Sequence, residues 1–231
     1  MIEPSGYPRS RELNRILAVG QHYWPQHRFY DRQEEMIESV ALSRETVVVA
    51  GNQLGKDYTA GFIVLTFFLH PWLFFPQEHF WGIDSQRYRG QPSWQVHTRR
   101  VVTTSVDGDQ LRNLWGEISR FIGSSRVPLS DGRGGPLRIN MRDISLAEER
   151  VETGQEPLNY LIGRVTATGE GMAGAHAAYN LMVIDEASGS DNQVKEFADG
   201  WAKKFLIFGN PNPTENFFRR MVDGGNIKVE T

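Results

Sequence analysis

Four short apolar runs rich in β-branched residues punctuate the chain: Thr46-Val47-Val48-Val49-Ala50, Val101-Val102-Thr103-Thr104, Leu181-Met182-Val183-Ile184 and Phe205-Leu206-Ile207-Phe208. None alternates apolar with polar, as a strand with one wet face would. Continuous runs of this length suit strands buried on both faces, as in a parallel sheet covered by helices. Between them, Asp31–Leu42, Asp57–Leu69, Gly108–Ile122 and Asn192–Trp201 carry apolar residues at helical spacing and are expected to be helices. This βαβ alternation predicts an α/β domain with a mainly parallel central sheet flanked by helices.

Two stretches interrupt the pattern. Residues 71–97 hold Trp72, Phe74, Phe75, Phe80, Trp81, Tyr88 and Trp94 with no clean period, which reads as an insertion or elaborated crossover. Its rings either pack on the body of the domain as a satellite core or offer a surface to a partner or to stacked bases. Asp131-Gly132-Arg133-Gly134-Gly135-Pro136 is a loop by its Gly and Pro content. There is no fixed-period repeat and no low-complexity tract, so a single domain over residues 1–231 is expected, with 1–28 as an N-terminal extension.

Composition narrows the class. A chain of 231 residues with 39% hydrophobic and 23% charged residues is an ordinary globular sequence. The formal net charge of −3 gives no bulk positive field, so any contact with nucleic acid must be local. Cysteine is absent, which excludes disulfides, thiolate nucleophiles and Cys-based metal centres. No charged lead runs into an apolar stretch at the N-terminus, and no apolar run is long enough to span a bilayer. An intracellular, non-membrane protein is expected.

The first apolar run leads directly into Ala50-Gly51-Asn52-Gln53-Leu54-Gly55-Lys56-Asp57 and then a helical stretch, the strand, glycine loop and helix order of a phosphate-binding loop. In such a loop Gly51 and Gly55 let the backbone approach phosphates, N–H groups of the loop and helix N-terminus donate to them, and Lys56 reaches the outer phosphates. The expected nucleotide-contacting positions are Gly51, Asn52, Gln53, Leu54, Gly55, Lys56, Asp57 and Tyr58; the plain alternative is a Gly-rich turn with an exposed lysine. Two positions depart from the motif. Ala50 stands where the first glycine is usual, and Asp57 stands where Ser or Thr would place a hydroxyl on Mg²⁺. Thr59 is no substitute, because two positions along a helix is about 200° around it. Mg²⁺ is hard and takes carboxylates readily, so Asp57 is expected to bind it directly; otherwise Asp57 caps the helix or pairs with an arginine.

The third run ends in Asp185-Glu186-Ala187. A carboxylate at the C-terminal tip of a parallel strand lies in the crevice where such sheets bind ligands. Asp185 is expected to hold Mg²⁺ through water, and Glu186 to orient and deprotonate the attacking water; an acidic pair ending a strand is otherwise a solvated turn. The fourth run ends in Gly209-Asn210-Pro211, where Asn210 can sense a γ-phosphate or simply make a turn. Glu186, Lys56 and Asn210 are thus the candidate catalytic residues, and Asp185 and Asp57 the candidate metal ligands. Upstream, Gln33 in Phe29-Tyr30-Asp31-Arg32-Gln33 can read an adenine edge while Phe29 or Tyr30 stacks, or can be a surface amide.

Together these residues resemble the ATPase domain of phage terminase large subunits, the motors that package viral DNA. The carriers are Arg32-Gln33, Gly51-Asn52-Gln53-Leu54-Gly55-Lys56, Val101-Val102-Thr103-Thr104-Ser105, Gly171-Met172-Ala173-Gly174-Ala175-His176 leading to Val183-Ile184-Asp185-Glu186-Ala187, and Gly209-Asn210-Pro211. The resemblance implies a P-loop NTPase fold of the additional-strand, catalytic-glutamate type, with ATP and Mg²⁺. It also implies double-stranded DNA as the moved substrate, the portal protein and small terminase subunit as partners, and a ring homo-oligomer at the procapsid portal. The site of action would be the cytoplasm of the infected bacterial host.

The pattern departs from the family at Asn52 and Ala173, where many relatives carry an arginine. The group that would stabilise transition-state charge is then sought among Arg99, Arg100, Arg133, Arg138, Arg142 and Arg164. Too few residues follow Asn210 for the RNase H-like nuclease that usually comes next, so that domain is expected to be absent from this chain. The DNA contacts are expected from a local set such as Arg87, Arg89, Arg99 and Arg100, or Lys203 and Lys204. Two other readings compete: a helicase-like P-loop ATPase, although no Gln-x-x-Gly-Arg-x-x-Arg element of a second motor lobe occurs, and a degenerate, non-hydrolysing docking module, suggested by Asp57 and the missing arginine.

Overall fold

The computed structural model describes residues 8–49, 55–76, 98–129, 139–140, 145–147, 159–165, 175–210, 215–224 and 228–230. Its strands are β1 (Glu45–Val49), β2 (Arg99–Ser105), β3 (Ile139–Asn140), β4 (Ser145–Ala147), β5 (Tyr160–Val165), β6 (Tyr179–Ile184), β7 (Lys204–Gly209) and β8 (Lys228–Glu230). The helices are α1 (Arg11–Tyr23), α2 (Asp31–Leu42), α3 (Lys56–Leu69), α4 (Gly108–Ser124), α5 (Asn192–Asp199) and α6 (Phe217–Asp223).

All strands join one sheet in the order β3-β4-β5-β2-β6-β7-β1-β8. The run from β5 to β8 is parallel, and the β3–β4 and β4–β5 pairings at one edge are antiparallel. The expected α/β architecture is therefore present. Strand β7 lies between β1 and β6, so one strand separates the glycine-loop strand from the Asp185-Glu186 strand, as the additional-strand arrangement requires.

The continuous apolar runs divide their residues by the strand period of two. Val48, Val101, Leu181, Val183, Leu206 and Phe208 face a core shared with α1 to α4, whereas Val47, Val102, Met182, Ile184, Phe205 and Ile207 face one shared with α5 and α6. Helix α3 is apolar around most of its circumference, with Phe62, Ile63, Val64, Leu65, Phe67 and Phe68 all fully buried, because the sheet lies on one side and α1 and α4 on others. Among the described residues no helix is long and apolar enough to cross a membrane.

The segment expected as an N-terminal extension is built into this core. Ser10 caps α1, its Oγ accepting the Leu13 N–H at 3.1 Å. Leu13, Ile16 and Trp24 are buried, the Trp24 indole N–H donates to the Phe121 carbonyl at 2.6 Å, and Arg9 holds Glu34 of α2 at two points, 2.7 and 2.5 Å. Of the aromatic-rich stretch, residues 71–76 follow the satellite-core reading: Phe74 and Phe75 are buried against Phe67, while Trp72 is more exposed. Residues 77–97 and the 131–136 loop lie outside the described residues.

Candidate functional site

The C-terminal tips of β6 and β7 and the start of α3 converge at one end of the sheet. Gly55 stands before α3 with φ 70° and ψ 22°, and a Cβ there would sit 2.8 Å from Gln33 Nε2, so both backbone and space call for glycine. We expect Gly55→Ala to lower stability by about 1–2 kcal/mol from the backbone alone and to displace Gln33, as read by urea denaturation. The first helical N–H groups, of Lys56, Asp57 and Tyr58, have no intrahelical acceptor. Intrahelical bonding starts with the Thr59 N–H on the Gly55 carbonyl at 3.0 Å. The Thr59 hydroxyl donates to that same carbonyl at 3.1 Å, so it is turned back into the helix.

Lys56 ties the loop to the strand tips. Its ammonium donates to Asp185 Oδ1 and to Glu186 Oε1, both at 2.9 Å, and its side chain is only 10% exposed. The other Glu186 oxygen accepts from Asn210 Nδ2 at 3.4 Å. Lys56, Asp185, Glu186 and Asn210, brought together from three elements, thus form one connected cluster. Glu186 holds a left-handed backbone, φ 52° and ψ 41°, with its N–H on Asp185 Oδ1 at 3.0 Å.

Burial alone would lower the Lys56 pKa, but Asp185 and Glu186 more than reverse this and raise it. Burial raises that of Asp185, with Lys56 opposing. Asp57 is pushed up to about 6, first by burial and then by Asp185, with Lys56 opposing and Glu117 and Glu186 adding to the rise. A carboxyl raised in the folded state favours folding while protonated and loses that contribution as pH rises from its ordinary value to about 6. Asp57→Asn is therefore expected to stabilise the nucleotide-free protein at pH 7, by about 1 kcal/mol after solvent screening. The gain should vanish below about pH 4, as thermal denaturation across that range would show.

The residues fit a hard dication. Asp185 Oδ2 is buried without a hydrogen-bond partner among the described residues, which a cation or its bound water would satisfy. Asp57, half-buried nearby, makes no hydrogen bond or ion pair with the described residues, so the capping and arginine-pairing alternatives are not seen there. No three His, Cys, Asp or Glu side chains among the described residues form a metal cage on their own. Mg²⁺ is commonly held by one or two carboxylates, with substrate phosphates and water completing its shell.

Other expected site residues divide. Gln33 is buried beside Gly55, its Oε1 accepting the Tyr30 N–H at 3.3 Å, and the Tyr30 hydroxyl lies 4.0 Å from the same glycine's Cβ position. Tyr30 is 42% exposed, whereas Phe29 is packed on Phe62 and Tyr58, which corrects its place in the stacking pair. The Tyr58 side chain is also turned away, hydrogen-bonded to His27 Nδ1 at 2.8 Å and packed on Phe121, leaving only its backbone N–H to the site. Gly51, Asn52, Gln53 and Leu54, with 171–174 and Pro211, lie outside the described residues.

The charged candidates need correction. Arg99 and Arg100 open β2 at the end opposite the Asp185 tip, about 17 Å of strand away, and stack on Phe68 and Tyr160. Arg164 is exposed at the C-terminal end of β5, the same end as the site; Arg133, Arg138 and Arg142 lie outside the described residues, as do Arg87 and Arg89. Lys204 is buried and donates to the Ala41 and Ser43 carbonyls that end α2, a cation on a helix C-terminus rather than a DNA contact. Lys203 beside it is exposed. Reasoning from sequence also missed Glu117, which raises the Asp57 pKa from α4, and Asn216, whose only signal is a short polar residue before Phe217-Phe218, the mark of a helix start.

No protein-family model matches the chain, and no curated protein matches it. Solved structures do. A mutant of the large terminase ATPase domain of Thermus phage P74-26 matches with TM-score 0.54 at 16% identity, over 92% of this chain and 73% of that one. The HK97 bacteriophage large terminase matches with TM-score 0.59 at 14% identity over 94% of this chain, and the large terminase of a thermophilic bacteriophage with 0.53 at 13% over 87%. The chain spans less than half of those two, 41% and 46%. The resemblance read from the motifs thus holds at the level of architecture, and the chain has the fold of phage large terminase ATPase domains.

Proposed function

We propose that the chain is the ATPase motor domain of a viral DNA-packaging terminase, hydrolysing Mg²⁺·ATP to drive double-stranded DNA into a procapsid. The observation that carries this reading is the Lys56 ammonium, at the start of α3, held between Asp185 and Glu186, with Asn210 on the other Glu186 oxygen. ATP enters where the N–H groups of α3 donate to its phosphates, and Lys56 exchanges carboxylate oxygens for phosphate oxygens. Glu186 then loses its cation and becomes an acceptor for a proton from water, with Asn210 fixing its orientation. When bound, Mg²⁺ supplies charge neutralisation on the phosphates; Asp185 and Asp57 are the residues that would hold it. Gln33 and Tyr30 supply an amide edge and a ring for the base.

Double-stranded DNA, the portal protein, the small terminase subunit and a ring of copies at the portal are the partners of this reading, and the cytoplasm of an infected bacterium is its setting. DNA contacts of a motor are made to the backbone and are indifferent to sequence. Affinity for unrelated duplexes is therefore expected to be equal and to fall about tenfold or more between about 50 and 200 mM salt. A flat salt response or a preferred sequence counts against the motor. Titration of ATP with Mg²⁺ and with EDTA tests the site itself: binding should be strongest with Mg²⁺, and equal binding in EDTA contradicts the metal role of Asp57 and Asp185.

A further inference from the structure

Glu186 is the one described non-glycine residue with positive φ. For a residue with a Cβ this conformation costs about 1–2 kcal/mol, and it persists only where the surroundings hold it. The turn that follows is a 3-10 turn over Ala187–Gly189, closed by the Gly189 N–H on the Glu186 carbonyl at 2.9 Å and the Ser190 N–H on the Ala187 carbonyl at 3.2 Å. Those bonds occupy the Glu186 and Ala187 carbonyls and leave those of Ser188 and Ser190 to find donors elsewhere.

One side chain supplies them. Asn216, 5% exposed, directs Nδ2 at the carbonyls of Ala187, Ser188 and Ser190, at 2.8, 3.1 and 3.2 Å. Its Oδ1 faces the other way and accepts the Arg219 N–H at 3.2 Å, capping α6. The same helix grips the Asn210 strand: a Cβ on Gly209 would lie 2.6 Å from the Phe218 ring, so helix and strand tip are in direct contact. The Phe217 N–H donates to Asn192 Oδ1 at 2.7 Å, which anchors the start of α6 to α5. Helix α6 therefore touches both arms of the Glu186–Asn210 contact, the turn behind the carboxylate and the glycine before the amide.

Resting on the reading of Glu186 as the hydrolytic base, we propose that Asn216 is a positioning residue. It clamps the 187–190 turn so that Glu186 is held facing Asn210 and Lys56, and α6 passes displacement of the Asn210 tip to Glu186. The clamp acts through the backbone of the turn, so it governs the chemical step and leaves nucleotide binding alone.

Asn216→Ser separates the two jobs of the side chain: a hydroxyl still caps the Arg219 N–H but is too short to reach three carbonyls. Asn216→Asp keeps the cap and replaces the donors with an oxygen that repels those carbonyls. Gly209→Ala, from the other side, pushes Phe218 off the strand tip and stands in if the buried aspartate does not fold. The measurements are ATP affinity, steady-state phosphate release and amide exchange over residues 186–190. Expected are a kcat lower by about 10- to 100-fold, ATP affinity within about twofold of wild type, and faster exchange at Gly189 and Ser190 with β6 unchanged. Wild-type kcat in a folded Asn216→Ser protein, or a lowered Tm with kcat unchanged, overturns the proposal. If wild type releases phosphate no faster than Glu186→Gln, the ATPase reading fails and the catalytic role of the turn with it, and exchange then reports separately whether Asn216 holds the turn.

Discussion

Replacing Glu186 with Gln should leave ATP bound and stop its hydrolysis, lowering kcat by about 10²- to 10⁴-fold, the usual contribution of a positioned general base. The amide keeps the size of the carboxylate and can still accept from Lys56 at the position now 2.9 Å from the ammonium. It cannot take a proton from water, and its N–H group would confront the Asn210 amide that now donates to the carboxylate. Affinity should hold or improve, since one negative charge is removed beside a polyanion. Phosphate release measured beside equilibrium binding separates the two effects. Turnover at the wild-type rate removes Glu186 from the mechanism.

Lys56→Ala should act on binding and on the fold at once. With the ammonium gone, nothing replaces the cation that offsets the outer phosphates, and ATP affinity is expected to fall about 100-fold or more. In the nucleotide-free protein Asp185, with its side chain 2% exposed, and Glu186, 17% exposed, lose their shared cation. Removing one partner of a buried ion pair costs about 3–5 kcal/mol, and the more exposed Glu186 puts the expected loss at the lower end. Burial already raises the Asp185 pKa against the opposition of Lys56. Without the lysine it rises further, so the loss should be largest at pH 7 and shrink as the pH falls and Asp185 protonates. Urea denaturation at pH 7 and pH 5 checks this. Unchanged ATP affinity would mean that the loop is not a phosphate site.

Legibility in the sequence followed burial. Strands β1, β2, β6 and β7 announce themselves because both their faces are covered, so no polar residue interrupts the run. Strand β5 does not, because Gly163 and Arg164 break its pattern towards the exposed end, and β3, β4 and β8 are too short to carry a period. Helix α1 went unread although Leu13, Ile16, Leu17 and Gly20 have helical spacing, and its capping Ser10 was the available signal. The site was legible where chemistry sits at the end of a run: Lys56 after β1, Asp185-Glu186 after β6, Asn210 after β7. Strand direction explains the misplaced cations. Arg99 and Arg100 open their strand, so a parallel sheet puts them at the far end, whereas residues that follow a strand reach the site. The left-handed backbone of Glu186 and the three-carbonyl clamp of Asn216 are tertiary arrangements that neither periodicity nor local propensity encodes.

The central claim, that the Lys56, Asp185, Glu186 and Asn210 cluster hydrolyses ATP, is tested most directly by phosphate release from Mg²⁺·ATP over a range of protein concentrations, with and without double-stranded DNA. Wild type is expected to release phosphate at a rate that requires Mg²⁺, rises with DNA and is lost in Glu186→Gln. A wild-type rate no greater than that of Glu186→Gln at every protein concentration would contradict it.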